Sequence, residues 1–159
     1  MARFIGEYEA TLDSKGRFLL PAGLKKIMPE GTTTLVLNRG LDQCLNLYLE
    51  EDWKVVEERL SQVNPYDSRE NRMVRKALIA GAVYLYIDSA GRLNIPQKLA
   101  DYAGLDKELV LAGDLEKIEV WDKTKYDKLF EELTPEVVTG MMSNVLGSGA
   151  NKPPTISNN

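Results

Sequence analysis

The 159-residue chain contains no histidine and only one cysteine. Without histidine it lacks the usual general base near neutral pH, the commonest metal ligand and every Ser–His or Cys–His nucleophile pair. A lone Cys44 excludes an intrachain disulfide, and beside Leu45 and Leu47 it reads as a small core residue. No apolar run approaches the roughly 20 residues needed to cross a bilayer. The opening Met1-Ala2-Arg3-Phe4-Ile5-Gly6-Glu7 also lacks the apolar stretch of a signal peptide. These absences predict a cytoplasmic protein that is not an enzyme, with no cofactor, no metal site, no membrane partner and no small-molecule substrate. A basic excess is missing too: 24 acidic against 20 basic residues leave a formal net charge of -4. A nucleic-acid partner therefore requires cations gathered on one surface. The distribution permits this, because Arg3, Lys15, Arg17, Lys25, Lys26 and Arg39 dominate the N-terminal part while Glu50, Glu51, Asp52, Glu57 and Glu58 crowd a later stretch.

What the chain does contain is a repeat. Leu12-Asp13-Ser14-Lys15-Gly16-Arg17-Phe18-Leu19-Leu20-Pro21 is echoed by Ile87-Asp88-Ser89-Ala90-Gly91-Arg92-Leu93-Asn94-Ile95-Pro96, with Asp, Ser, Gly, Arg and Pro recurring at an offset of 75. Downstream, Gly40, Leu45, Tyr48 and Trp53 correspond to Gly113, Ile118, Trp121 and Tyr126 after a two-residue shortening. The chain is two versions of one module. Residues 1–54 form the first, 55–81 linking helices, 82–133 the second, and 134–159 a mostly disordered extension ending in Asn and Pro.

Within the first module, Tyr8 to Leu12 alternates as a strand, Asp13 to Gly16 is turn chemistry and Arg17 to Leu20 is the returning strand, which predicts a β-hairpin. Pro21 suits the start of a short helix, and strands follow near Leu35–Asn38 and Leu45–Leu49. The linker predicts two helices, one from about Asp52 to Gln62, the other capped by Asp67 with Met73, Val74, Ala77 and Leu78 on its buried face. The second module repeats the scheme, closing with a helix from about Thr124 to Leu133 capped by Asp122.

In each hairpin, Asp13 or Asp88 can accept from the backbone N–H groups that follow it, while Gly16 or Gly91 takes the positive φ that closes the turn. Arg17 or Arg92 is then held at a stiff tip, where a guanidinium can fork onto phosphate. The simpler role is an internal ion pair with the turn's own aspartate. Charge separates the copies: Lys15 and Arg3 reinforce the first, where the second has Ala90 and Leu78. Arg17, Lys15 and Arg3 are therefore the leading DNA-binding candidates, with Arg92 a lesser one. Arg69, Arg72, Arg75 and Lys76 cluster on the linking helix, with Arg69, Arg72 and Lys76 sharing a face opposite the apolar one that suits solvent, the acidic stretch or DNA. Tyr48, Trp53, Trp121 and Tyr126 read as core or interface residues, and their need for cover, with open strand edges, predicts a homo-oligomer.

Gly6-Glu7-Tyr8, the paired Asp-x-x-Gly-Arg turns, Tyr102-Ala103-Gly104-Leu105 and Ile118-Glu119-Val120-Trp121-Asp122 together resemble the MraZ family over roughly residues 3 to 133. The resemblance implies an α+β fold of two fused swapped-hairpin (double-split) β-barrel half-modules of AbrB type with short helices and pseudo-twofold symmetry. It implies a transcriptional regulator that is nucleoid-associated. Its partners would be double-stranded DNA, at direct repeats upstream of the division and cell-wall gene cluster containing its own gene, and copies of itself in a ring. On that resemblance Arg17 is the DNA-contacting arginine. Asn94 departs from the pattern, where an aliphatic residue is expected, and puts the packing of the second hairpin in question. Two alternatives remain: an antitoxin-like protein whose tail, Ser143 to Asn159, wraps a protein partner, and an enzyme using Asp13 and Asp88 as general acid and base.

Overall fold

Alternation sets the first strand, β1 (Glu7–Thr11), which turns Tyr8 and Ala10 inward and leaves Glu7, Glu9 and Thr11 exposed. The structure is a computed structural model describing residues 2–147. After the first turn come β2 (Arg17–Leu19), α1 (Ala22–Lys25), β3 (Thr34–Arg39) and β4 (Leu45–Leu49). The linker holds α2 (Glu50–Ser61) and α3 (Arg69–Arg75), the latter running into a π-helical turn, Lys76–Ala80. The second half supplies β5 (Val83–Tyr86), β6 (Arg92–Asn94), α4 (Gln97–Ala103), β7 (Glu108–Asp114) and β8 (Lys117–Asp122), followed by α5 (Lys123–Glu132) and α6 (Pro135–Leu146). The described residues divide into two compact units between Lys123 and Thr124.

Pairing differs from a pair of local hairpins. Beyond the hydrogen bond that Asp13 N–H donates to the Arg17 carbonyl (2.8 Å), β1 and β2 part company. β1 pairs antiparallel with β7, and β2 with β6, both from the other half. Likewise β5 pairs with β3, not β6. The main sheet runs β1-β7-β8-β4-β3-β5, which reads the same from either end once first-half and second-half strands are exchanged. Its centre is the β4–β8 pair, where Asn46 opposes Glu119 with Leu45–Val120 and Leu47–Ile118 on either side. The separate β2–β6 ribbon is centred in the same way on Phe18 opposite Leu93. A hairpin closed within each half would leave each small sheet with an uncovered apolar face. Exchange lets both halves bury one core: Phe18 and Leu93 join Leu35, Leu37, Leu45, Leu47, Leu109, Leu111 and Ile118 in one cluster.

Several local expectations change. α3 is capped by Ser68, whose Oγ accepts from Asn71 N–H (3.0 Å), while Asp67 accepts from Asn64 Nδ2 (3.1 Å). Met73 and Val74 are exposed rather than buried, since the helix is held to the sheet from the π-helical turn, where Asn38 Nδ2 donates to the Leu78 carbonyl (3.1 Å). Tyr48, Trp53, Trp121 and Tyr126 are all buried within the chain, so they give no reason to expect a partner copy. Tyr48 and Trp53 pack with ring centroids 5.6 Å apart. Asn94 is exposed; it lies on the outward face of β6 and takes no core position. Finally, residues 135–146 of the extension form α6, opened by Thr134, whose Oγ1 accepts from Val137 N–H (3.3 Å), with Pro135 at its first position. Residues 148–159 lie outside the described residues.

Candidate nucleic-acid interface

The two Asp-x-x-Gly-Arg turns have one geometry. Asp13 Oδ1 accepts from Lys15 N–H and Arg17 N–H, both at 2.9 Å, and Gly16 N–H returns to the Asp13 carbonyl at 3.0 Å. Asp88 Oδ1 accepts from Ala90 N–H (2.9 Å) and Arg92 N–H (2.8 Å), with Gly91 N–H on the Asp88 carbonyl at 2.9 Å. Gly16 and Gly91 take φ of 82° and 85°, a region that costs a side-chain-bearing residue about 1 kcal/mol or more. Donation from the Arg17 backbone N–H, opposed by desolvation, holds the Asp13 carboxyl below its ordinary range; the Arg92 N–H does the same for Asp88. A carboxyl lowered in the folded state contributes stability above its ordinary value and loses it as pH falls through the folded value, so both clamps are complete at neutral pH.

Each clamp also takes one donor from its arginine. Arg17 Nε lies 3.0 Å from Asp13 Oδ2, and Arg92 Nε lies 3.1 Å from Asp88 Oδ2. The internal ion pair is therefore present in both turns. A guanidinium has five N–H donors, and the four on Nη1 and Nη2 have no partner among the described residues in either arginine. The aspartate fixes the arginine and leaves its outer edge open.

The ribbon then sets these two edges on one surface. Residues directly opposite in an antiparallel pair share a face, so Arg17 with Asn94 and Leu19 with Arg92 stand opposite the buried Phe18–Leu93 side. Leu19 and Asn94 are exposed, and the arginine side chains are 29% and 37% exposed. Two positions along the strand and one strand across put the two arginine Cα atoms roughly 8 Å apart. Exposed Lys15 sits on the first turn. Arg3 does not join it: Phe4 is bridged to Leu115, and β1, about 17 Å long at 3.4 Å per residue, lies between Arg3 and the turn. Lys25, which sequence reasoning left unplaced, does join, since a methyl added at Gly91 would stand 3.9 Å from its Nζ.

The linking helix uses its basic residues otherwise. Arg75 Nη1 donates to the Leu60 and Val63 carbonyls (3.2 and 3.1 Å) at the end of α2, and Arg72 Nη1 to the Pro65 carbonyl (3.0 Å). Neither is ion-paired to the Glu50–Glu58 stretch among the described residues. Among those residues there is also no cluster of three or more His, Cys, Asp or Glu side chains able to hold a metal ion, and no helix long and apolar enough to cross a membrane.

A duplicated module with a doubled turn matches a known family model, described as "MraZ protein, putative antitoxin-like", over residues 3–76 and again over 78–139. The chain belongs to the MraZ family. The break between the matched stretches falls in the π-helical turn between the two halves. Among curated relatives, the "Transcriptional regulator MraZ" of Pediococcus pentosaceus is 38% identical over 146 residues, covering 92% of this chain and 99% of that protein. The protein of the same name from Christiangramia forsetii is 37% identical over 134 residues, covering 83% of this chain and 86% of its own.

Proposed function

We propose that the chain is a DNA-binding transcriptional regulator that meets the phosphate backbone with the outward face of the β2–β6 ribbon. The observation that carries this is the pair of arginines on that face, each anchored through Nε with its outer donors open. Preordered donors lose little side-chain freedom on binding, and guanidinium geometry fits phosphate. The names of the relatives supply the regulatory role. In the same reading the exchanged strands are a swapped-hairpin arrangement in which the two halves stand for two protomers fused in one chain. The target is short direct repeats upstream of the division and cell-wall gene cluster, and the protein works in the nucleoid.

The test is a gel shift on the upstream fragment of the chain's own gene against competitor DNA at several salt concentrations. Specific binding that weakens steeply with salt is expected; equal affinity for both DNAs, or none, refutes the proposal.

Assembly into a homo-oligomeric ring is part of this proposal. It is supported by β5, a sheet edge bearing exposed Tyr84 and Tyr86, and by exposed Met73 and Val74 on the linking helix. Light scattering is expected to give a mass several times 17.8 kDa. A monomer at micromolar concentration rules the ring out.

A second reading also has an observation behind it. α6 exposes Val137, Val138, Met141, Met142, Val145 and Leu146, far more apolar surface than the sequence from Ser143 onward offered, and at helical spacing. A protein partner bound through this helix would co-purify with the full chain and be lost on Met141→Asp, with DNA binding unchanged.

A further inference from the structure

The sequence makes the second turn the weaker one, because Ala90 stands where the first turn has Lys15. Topology evens this out. β2 and β6 run antiparallel, so whatever follows β2 in the chain is delivered beside whatever precedes β6, namely the Asp88–Gly91 turn. The contacts agree: Leu20 N–H donates to the Gly91 carbonyl at 3.0 Å, and an added methyl at Gly91 would meet Leu19 Cδ1 at 3.6 Å and Lys25 Nζ at 3.9 Å. The cation placed over the second turn thus comes from the first module's helix, α1. Lys25 is exposed and makes no ion pair among the described residues.

The lysine has no counterpart in the second module. At the repeat offset, Lys25 corresponds to Ala100, which is buried. Around Gly16 the neighbours are instead the Ile95 carbonyl and the Asn94 side-chain amide. Each turn consequently holds two cations against one carboxylate: Lys15 and Arg17 with Asp13, Lys25 and Arg92 with Asp88. A chain with a net charge of -4 thus carries two basic side chains at each end of one short ribbon.

We infer that Lys25 is a backbone-contacting residue for DNA, completing the second turn so that both turns of a subunit engage phosphate. This rests on the ribbon being the DNA-binding face. A lysine ammonium acts there as a compact point charge beside the forked arginine. It should strengthen binding without regard to base sequence, because phosphate contacts position a protein and do not read bases.

The experiment is a salt titration of DNA affinity for wild type, Lys25→Gln, Lys25→Arg, Arg17→Ala and, as a remote surface control, Lys54→Gln, each on the upstream fragment and on a mixed-sequence duplex. Melting temperature and oligomer mass are recorded for every variant. Lys25→Gln is expected to weaken binding on the order of five- to tenfold on both DNAs and to lower the log–log salt slope by about 0.9. Lys25→Arg should retain affinity and slope, and Lys54→Gln should behave as wild type. If Arg17→Ala binds poorly but Lys25→Gln matches wild type, the ribbon reading stands and the role of Lys25 is refuted. A loss in Lys25→Gln that Lys25→Arg does not restore, or that accompanies a lower melting temperature, assigns Lys25 to the fold and also refutes it. A wild type without salt-dependent DNA binding overturns both.

Discussion

Replacing Arg17 and Arg92 together by alanine is expected to cost about 30- to 10⁴-fold in DNA affinity per subunit while leaving fold and oligomer mass unchanged. Each lost charge-assisted contact is worth roughly 1 to 3 kcal/mol, and two lost phosphate contacts flatten the log–log salt slope by about 1.8. In an assembly that engages several sites the loss multiplies, because every weakened subunit lowers the avidity of the rest. The fold is expected to survive because both side chains lie on the outward face of the ribbon and exchange one partly exposed ion pair each, a contribution near the low end for such pairs. The sequence alone makes Arg17→Ala far more damaging than Arg92→Ala. With Lys25 beside the second turn, the two single variants should instead weaken binding to a similar degree. Salt titrations on the upstream fragment decide between these outcomes. A double variant that binds as wild type removes the ribbon from the interface.

The opposite side of the same ribbon should behave in the opposite way. Phe18→Ala is expected to destabilise the protein by about 3 to 5 kcal/mol, and Leu93→Ala by about 2 to 5, the range for emptying a well-packed core site. Phe18 and Leu93 are 2% and 0% exposed, oppose each other at the centre of the ribbon and join the cluster beneath it. Neither side of the cavity can easily collapse, because the ribbon is held at both ends by its turns and by the bonds of Leu20 N–H to Gly91 and Ile95 N–H to Gly16. Asn94→Ala, on the outward face, should shift stability by less than about 0.5 kcal/mol. Urea unfolding at one fixed protein concentration measures all three, since apparent stability depends on concentration in any protein that self-associates. A Phe18→Ala cost below about 1 kcal/mol is incompatible with this packing.

The Asp, Gly and Arg positions of both turns are explicit in the sequence because turn chemistry is local: the acceptor, its donors and the positive-φ glycine lie within five consecutive residues. Strand and helix positions were legible to within a few residues from apolar spacing. The cap of α3 is ambiguous in the sequence because Asp67 and Ser68 are both good acceptors and adjacent, and only the backbone path selects Ser68. α6 is not legible in the sequence because its polar face carries small residues, Thr139, Gly140 and Ser143, which read as linker composition.

What the sequence by itself determined is the duplicated module, the two clamped turns and the family to which they point. What only the tertiary structure decided is which parts of the two copies meet. Strand pairing is non-local and depends on which exchange buries the most apolar surface, a property of the whole chain and not of any window within it. That choice places Arg17 and Arg92 on one face, brings Lys25 to a turn more than sixty residues away and leaves Arg3 at the far end of β1.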